Sequence, residues 1–256
     1  MKHLNRYMTA AAMSVMLAGT GVALTGCETN EALGRSQFIL FDEAALAQSA
    51  QAGWQEQLKT AKVSKDPQLN ARVRTVATRI VNAAGMGGQP WEFVVFENDQ
   101  PNAFVIPGNK VGVNSGLFKV VKNDDQLAAV LGHETAHVIG RHAAERASQQ
   151  TAAQIGLEVA TQATEGRVQQ AVANYGGLGA SLGLLLPYSR KHESEADKIG
   201  VDIMVKAGYR ASESVRLWEN MSELKSGGQP EFLSTHPSDT TRINDLKAYI
   251  ASKGYS

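Results

Sequence analysis

The pattern of apolar and polar positions predicts helices at the start of the chain, followed by a short run of strands. Apolar side chains recur at helical spacing over residues 44–58 and 69–83. Asp42 is suited to cap the first of these helices, and Gly85 is suited to end the second. Segments rich in β-branched and aromatic residues then predict three strands, at 91–96, 103–106 and 110–113. A Pro-Gly-Asn turn signal separates the last two strands, so we expect a small antiparallel sheet.

The second half of the chain is predicted to be mostly helical. Helical patterns cover residues 124–148, 188–207, 212–224 and 239–251. The Ala/Gln/Gly-rich stretch 149–186 has helical character but weak patterning, and it is either a lid over a cleft or a plain packing helix. Because helices precede and follow one small sheet, the predicted fold class is α+β, with a single domain over residues 38–256.

Residues 1–26 have the pattern of a bacterial export signal. Lys2 and Arg6 form a positive n-region, and an apolar stretch over residues 8–24 follows it. That stretch ends in Leu24-Thr25-Gly26-Cys27, which resembles the lipobox of bacterial lipoproteins. The resemblance implies cleavage before Cys27, a lipid on its thiol, and a linker over residues 27–37. The position after Cys27 holds Glu28, whereas the inner-membrane retention signal has Asp there. This favours a periplasmic protein that is anchored to the outer membrane. An uncleaved signal anchor is the alternative.

Composition narrows the class of protein further. Hydrophobic residues make up 43% and charged residues 20% of the 256 residues, which is the balance of an ordinary globular protein. The formal net charge is zero, which argues against a nucleic-acid-binding surface. Cys27 is the only cysteine, so an intramolecular disulfide is excluded. No long apolar stretch follows Cys27, so we expect membrane attachment through the lipid alone.

The pentapeptide His133-Glu134-Thr135-Ala136-His137 is the strongest candidate for chemistry. On a helix the two histidines stand one turn apart on the same face, so both imidazoles can reach one metal ion. Glu134 is rotated by about 100° from His133 and can reach a metal-bound water without binding the metal itself. Zinc lowers the pKa of such a water to about 7, and Glu134 would take its proton as a general base. Two histidines in the core of an apolar helix are the alternative.

A third ligand is expected on a second helix, within residues 190–197. Glu193 and Glu195 are separated by about 200° of helical rotation, so both cannot face one metal. Glu195 shares its face with charged residues and is expected to be solvated, whereas Glu193 borders an apolar stripe and is expected to point inward. Asp197 lies one turn after Glu193 and is suited to accept the second N–H of a ligand histidine. A surface ion pair between Glu193 and Arg190 is the alternative.

Four ordered blocks of the sequence resemble the HtpX, BepA and CAAX-prenyl-protease group of zinc peptidases. Two of them are residues 131–137 and 189–197, which hold the candidate ligands. The others are Asn102-Ala103-Phe104 with residues 107–108 and 115–117, and Ser234-Thr235-His236-Pro237-Ser238 with Arg242 and Ile243. The similarity covers roughly residues 38–250 and is closest to the soluble lipoprotein branch. It implies a mainly helical, zincin-like metalloprotease domain with a small antiparallel β-sheet before the HExxH helix.

The resemblance also implies roles for the site residues. It assigns one zinc ion per chain to His133, His137 and Glu193, with Glu134 as the general base. His236 would lie near the metal, where it binds zinc in a resting state or stabilises the oxyanion, and Arg242 would lie close by. A loop histidine and a helix-surface arginine are the alternatives for these two. We leave His142 and His192 as structural or solvent-exposed residues, because neither shares the ligand face of its helix.

Taken with the lipobox, the resemblance predicts a zinc endopeptidase that cleaves misfolded or misassembled envelope proteins. A chaperone-like assembly factor whose zinc site is latent, and a lipoprotein in which the motif is incidental, are the alternatives. Polypeptides are the expected substrates, and envelope assembly machinery or further copies of the chain stay open as partners. We further expect an extended substrate to pair with the strand at 110–113, which lies just before the metal helix.

Overall fold

The computed structural model describes residues 27–161, 188–223, 232, 236 and 240–256. The helices are α1 (Glu43–Thr60), α2 (Pro67–Ala83), α3 (Asp124–Ile139), α4 (His142–Thr161), α5 (Arg190–Lys206), α6 (Ser212–Glu223) and α7 (Thr240–Lys253). The strands are β1 (Cys27–Asn30), β2 (Arg35–Phe38), β3 (Glu92–Phe96), β4 (Ala103–Ile106) and β5 (Lys110–Asn114). The fold is a mainly helical α+β fold, as the sequence predicts. The predicted signal segment 1–26 and residues 162–186 of the predicted lid lie outside the described residues. Among the helices described here, none is both long and apolar enough to cross a membrane.

The strands β3, β4 and β5 form a small sheet with β5 in the centre. β4 and β5 pair antiparallel through the predicted turn, where Gly108 and Asn109 have φ angles of 88° and 60°. β3 pairs parallel with β5, so the sheet is mixed. The expectation that a substrate pairs with residues 110–113 is wrong, because β3 and β4 occupy both sides of β5. The strand β4 is instead an edge of this sheet, and it adjoins α3.

The helix α3 is buried along most of its length and lies at the centre of the fold. Asn123 caps its start by accepting a hydrogen bond from the backbone N–H of Gln126, at 2.9 Å. α5 crosses α3 where both helices carry glycine, and a Cβ on Gly132 would lie only 2.8 Å from the carbonyl oxygen of Gly200. This close approach brings the candidate ligands of the two helices together. The surrounding core includes Val76, Ile80, Val113, Leu127, Leu131 and Met204.

The single helix predicted over residues 124–148 is two helices in the structure. α3 ends at Ile139, Gly140 forms its C-cap, and Arg141 has a left-handed conformation with a φ of 50°. α4 then begins at His142. The break redirects the chain, and it brings the His142 side chain back to the end of α3 that carries His137.

A β-hairpin occupies residues that the sequence suggests to be a polar linker. β1 and β2 pair antiparallel, and the hairpin lies against the end of α3. Nδ2 of Asn30 donates to the carbonyl of Ile139 at 3.0 Å, and Nε2 of Gln37 donates to the carbonyl of Gly140 at 2.7 Å. The last carbonyls of a helix have no intrahelical partner, so the hairpin caps the C-terminal end of α3.

Candidate metal centre

Four buried side chains bring their metal-binding atoms within 4.8 Å of one another. They are His133 and His137 from α3, Glu193 from α5, and His236, which precedes α7. Nε2 of His133 lies 3.1 Å from Nε2 of His137 and 3.2 Å from Nδ1 of His236. Oε1 of Glu193 lies 3.1 Å from Nδ1 of His236 and 3.4 Å from Nε2 of His137. The structure therefore places the three predicted ligands and His236 in one cluster.

The cluster fits a tetrahedral zinc ion. Zinc binds imidazole nitrogen and carboxylate oxygen at about 2.0–2.2 Å, so neighbouring donors of a tetrahedral site are roughly 3.3 Å apart. Four of the donor separations are 3.1–3.4 Å and match that spacing, and all four donors lie within 4.8 Å of one another. With His236 as the fourth donor the set is closed. Without it, two histidines and a carboxylate leave one position open, which is the arrangement of catalytic zinc sites.

Glu134 lies beside the cluster and is 1% exposed. Its Oε1 is 3.4 Å from Nε2 of His236. Neither of its carboxylate oxygens makes a hydrogen bond within the part of the chain that the structure describes. Burial raises the pKa of Glu134, and the neighbouring His236 and His133 lower it to a smaller extent. Because a buried carboxylate without a hydrogen bond costs free energy, these oxygens fit a site where a polar ligand or a water accompanies the metal.

Asp197 and Arg242 hold the outer side of His133. Oδ1 of Asp197 lies 3.0 Å from Nδ1 of His133. Arg242 donates to both Asp197 oxygens, at 2.5 Å from Nε and 2.8 Å from Nη2, and its Nη1 lies 2.5 Å from Oε2 of Glu193. Burial raises the pKa of Asp197, but the Arg242 guanidinium outweighs it and the pKa is lowered. An ionised Asp197 accepts the second N–H of His133 and fixes the orientation of its ring.

A second chain of contacts holds the outer side of His137. Nδ1 of His137 lies 2.9 Å from Nδ1 of His142, and Nε2 of His142 lies 3.2 Å from Oε2 of Glu195. Arg35 on β2 donates to both oxygens of Glu195, at 2.6 Å from Nε and 2.8 Å from Nη2. The expectation that Glu195 is solvated is therefore wrong. Its carboxylate pairs with Arg35 of the distant hairpin and not with the charged residues of α5.

The sequence does not predict that His142 contacts the candidate ligand His137. On a continuous helix His142 would be rotated by about 140° from His137 and could not reach it. The break at Arg141 removes that constraint, so the separation of five residues no longer fixes the angle between the two side chains. His192 is also buried, and its ring stacks on that of His142 with the centroids 4.6 Å apart.

The pKa values of the two HExxH histidines are shifted in opposite directions. Burial lowers the pKa of His133, but the carboxylates of Glu193 and Asp197 outweigh it and raise that pKa to about 9. Burial lowers the pKa of His137 well below its ordinary value, and the charge on His133 acts in the same direction. Burial raises the pKa of Glu193, yet Arg242 and the adjacent histidines hold it well below the ordinary range. These shifts favour a positive charge on His133 beside the carboxylates of Glu193 and Asp197.

A cleft lies beside the cluster. Val105 and Pro107 line it from the sheet, His137 and Arg141 from the end of α3, and Tyr188 from the segment before α5. The Tyr188 ring stacks on His137 with the centroids 3.9 Å apart. The cleft therefore lies between the edge strand β4 and His137, one of the metal-binding residues.

The fold and the site together define a class of protein. It is a mainly helical metalloprotein in which one helix carries an HExxH pair and a second helix supplies a carboxylate. The model of Peptidase family M48 matches residues 67–250, and the chain belongs to this family. The family resemblance drawn from the sequence motifs is confirmed.

Relatives from two kinds of organism are similar to this chain. Mitochondrial metalloendopeptidase OMA1 of Schizosaccharomyces pombe is 39% identical over 182 residues, which are 70% of this chain and 52% of that protein. Mitochondrial metalloendopeptidase OMA1 of Saccharomyces cerevisiae is 34% identical over 200 residues, 71% of this chain and 56% of that protein. Beta-barrel assembly-enhancing protease of Escherichia coli strain K12 is 29% identical over 198 residues, 73% of this chain and 40% of that protein. The match thus spans about half of each relative.

Proposed function

We propose that this chain is a zinc-dependent endopeptidase that hydrolyses peptide bonds. The observation that carries the proposal is the position of Glu134. Its buried carboxylate lies next to the four metal-binding side chains and has no hydrogen bond within the described residues. A metal site that served only to hold the fold together would not need such a carboxylate, because burying it without a hydrogen bond costs free energy. Two of the relatives are named as metalloendopeptidases, in agreement with this proposal.

Different residues would bind the metal and transfer the proton during hydrolysis. His133, His137 and Glu193 would hold the zinc ion, which supplies a Lewis acid that polarises the substrate carbonyl and acidifies a water molecule. Glu134 accepts the proton of the attacking water and then delivers it to the nitrogen of the leaving amine. Burial raises the pKa of Glu134, which brings it closer to neutral pH and suits both transfers.

The edge strand β4 is suited to bind the substrate in an extended conformation. Among the described strands, only β5 pairs with β4, and the other side of β4 faces the cleft and α3. An extended peptide that added to this edge would make main-chain hydrogen bonds, and its carbonyls would run past the metal-binding residues. Main-chain pairing is largely independent of side chains, so it suits a peptidase that acts on many unfolded polypeptides.

His236 supports a resting state in which the site is closed. Its Nδ1 lies within hydrogen-bond distance of Nε2 of His133 and of Oε1 of Glu193, where a fourth zinc ligand would lie. Substrate would have to displace this imidazole before the carbonyl could reach the metal. The same observation favours a second candidate function, a chaperone-like assembly factor whose zinc site stays latent. The role of His236 as an oxyanion-stabilising catalytic residue requires that the ring leave this position.

The setting that fits this chain best is the bacterial periplasm, with a lipid on Cys27 and attachment to the outer membrane. The lipobox-like segment before Cys27 supports the anchor, and one relative is named a beta-barrel assembly-enhancing protease. The substrates would be misfolded or misassembled envelope proteins. Replacing Cys27 with serine tests the anchor. Release of the protein into the soluble fraction is the expected result, and an uncleaved protein that stays in the membrane would indicate a signal anchor.

A pair of isosteric substitutions tests the peptidase. Glu134→Gln removes the general base and should lower casein hydrolysis by about 10²–10⁴-fold with zinc still bound. Glu219→Gln is the matched control, since Glu219 is 46% exposed and pairs with Lys247 on the outer surface. Both are measured in the wild-type and His236→Ala backgrounds, so that a closed resting site does not conceal activity. Equal hydrolysis by the Glu134 and Glu219 variants would refute the proposed mechanism.

A further inference from the structure

The two histidines of the HExxH pair are held on their outer sides by different arrangements. His133 contacts a carboxylate directly, Asp197, and an arginine from α7 holds that carboxylate. His137 contacts His142 instead, and His142 contacts Glu195. The arginine that holds Glu195 comes from β2 in the N-terminal hairpin, Cys27–Phe38. The second arrangement therefore extends from the metal cluster to a part of the chain that lies outside the family match at 67–250.

In the contacts from His137 to His142 and from His142 to Glu195, each hydrogen-bond donor faces an acceptor. Nε2 of His137 faces the cluster, so its Nδ1 carries the proton when the ring binds a metal. That N–H can donate to Nδ1 of His142, whose Nε2–H can then donate to Oε2 of Glu195. One tautomer of His142 satisfies both contacts. Glu195 thus acts on His137 as a carboxylate acts on a zinc-ligand histidine, with one imidazole between them.

Arg35 fixes Glu195 in the orientation that this chain of contacts needs. Its guanidinium binds both oxygens of Glu195 on α5 and both oxygens of Glu145 on α4, at 2.6–2.8 Å. The Arg35 side chain is 16% exposed, and those of Glu145 and Glu195 are 6% and 18% exposed. Without Arg35, two largely buried carboxylates would face each other across the gap, and their repulsion would turn Glu195 away from His142.

The backbone before His142 also helps to hold the imidazole next to His137. Gly140 leaves room for the imidazole, because a Cβ there would lie 2.4 Å from Nε2 of His142. Arg141, in its left-handed conformation, is held by Glu28 on β1 at 2.6 Å. Together with the two carbonyl caps from Asn30 and Gln37, these contacts tie the hairpin to the residues that precede His142.

We propose that Arg35 is a positioning residue of the metal centre, and that the N-terminal hairpin completes this centre by fixing His137 through Glu195 and His142. The proposal rests on the proposed function only in that the cluster binds zinc. It gives the hairpin a part in metal binding and connects the segment that follows Cys27 to a zinc ligand.

Zinc affinity of the full chain, measured by competition with a chelator, tests the proposal. Arg35→Gln should weaken zinc binding by about 10–100-fold, the range for outer partners of metal ligands. Arg35→Lys should lose less zinc affinity than Arg35→Gln, because lysine keeps the positive charge but cannot bind both carboxylates through paired N–H groups. Arg210→Gln is the matched control, since Arg210 binds Asp125 through two N–H groups at the other end of α3. The control should stay within about twofold of wild type.

Two further measurements separate positioning from general stability. The cobalt(II)-loaded Arg35→Gln protein should have an altered visible spectrum, since that spectrum reports coordination geometry, and Arg210→Gln should keep the wild-type spectrum. In a double-mutant cycle, Arg35→Gln should cost little zinc affinity once His142→Gln is present, because Arg35 acts through His142.

Three outcomes bear on the proposal in different ways. Equal zinc affinity of Arg35→Gln and wild type would overturn it and leave the peptidase proposal standing. Fully additive losses in the double-mutant cycle would also overturn it, because Arg35 would then act by another route. A folded wild-type protein that binds no zinc would overturn both proposals.

Discussion

Nε2 of His236 lies 3.4 Å from Oε1 of Glu134, while Nδ1 of the same ring lies among the metal-binding atoms. The ring therefore occupies the space between the proposed general base, Glu134, and the other metal-binding atoms. A substrate carbonyl and an attacking water need that same space. We therefore expect the position of the His236 ring to control access of substrate to the metal site.

Replacing His236 with alanine should open the site. The remaining ligands, His133, His137 and Glu193, still form a complete set for catalytic zinc, so zinc should be retained at one ion per chain. Casein hydrolysis should rise severalfold over wild type if the imidazole has to leave before substrate binds. The double variant Glu134→Gln/His236→Ala should stay inactive. A loss of hydrolysis in His236→Ala with zinc retained would instead show that His236 stabilises the oxyanion.

Replacing Gly132 with alanine should separate the two helices that carry the ligands. The new Cβ would lie 2.8 Å from the carbonyl oxygen of Gly200, and both groups belong to rigid helices. Overpacking of this kind costs about 1–3 kcal/mol of unfolding free energy, which urea denaturation measures.

Gly53→Ala is the matched control for that substitution. Gly53 lies within α1 and a Cβ there would meet nothing within 4 Å. The substitution should therefore stabilise the protein by up to about 1 kcal/mol, through helix propensity alone. Equal and favourable effects at both glycines would contradict the close approach of α3 and α5.

Zinc affinity should depend on pH through His133. Its pKa is raised to about 9 in the metal-free protein, and zinc binds only the neutral ring, so at least one proton must leave below that pH. Glu193 and His137, whose pKa values are lowered, already have the form that binds metal. The association constant should rise by about tenfold per pH unit between pH 6 and 8 and level off above 9. Chelator competition across this range measures it, and a flat profile would contradict the assignment.

The sequence predicts much of the site because helical phase is a local property. The separation of His133 and His137 by four residues places both on one face of a helix, whatever the rest of the chain does. The same reasoning separates Glu193 from Glu195 and places Asp197 one turn further along the helix. The structure brings His133, His137, Glu193 and Asp197 to the same place.

The features that the sequence does not predict depend on distant segments. Arg35 lies 160 residues before Glu195, so no pattern within α5 indicates that the two meet. The contact of His142 with His137 depends on a left-handed residue at Arg141, a conformation for which arginine gives no signal. The central position of β5 likewise follows from a parallel pairing with β3, which strand order along the chain leaves open.

Removal and return of zinc is the measurement that tests the central claim most directly. The wild-type and His236→Ala proteins are each stripped with a chelator and titrated with zinc, while bound metal and casein hydrolysis are followed in the same sample. The account predicts that hydrolysis disappears with the metal, returns in proportion to bound zinc, and reaches its maximum at one zinc per chain. Hydrolysis that persists in the stripped protein, or full zinc binding without any hydrolysis in both the wild type and the His236→Ala variant, would contradict it.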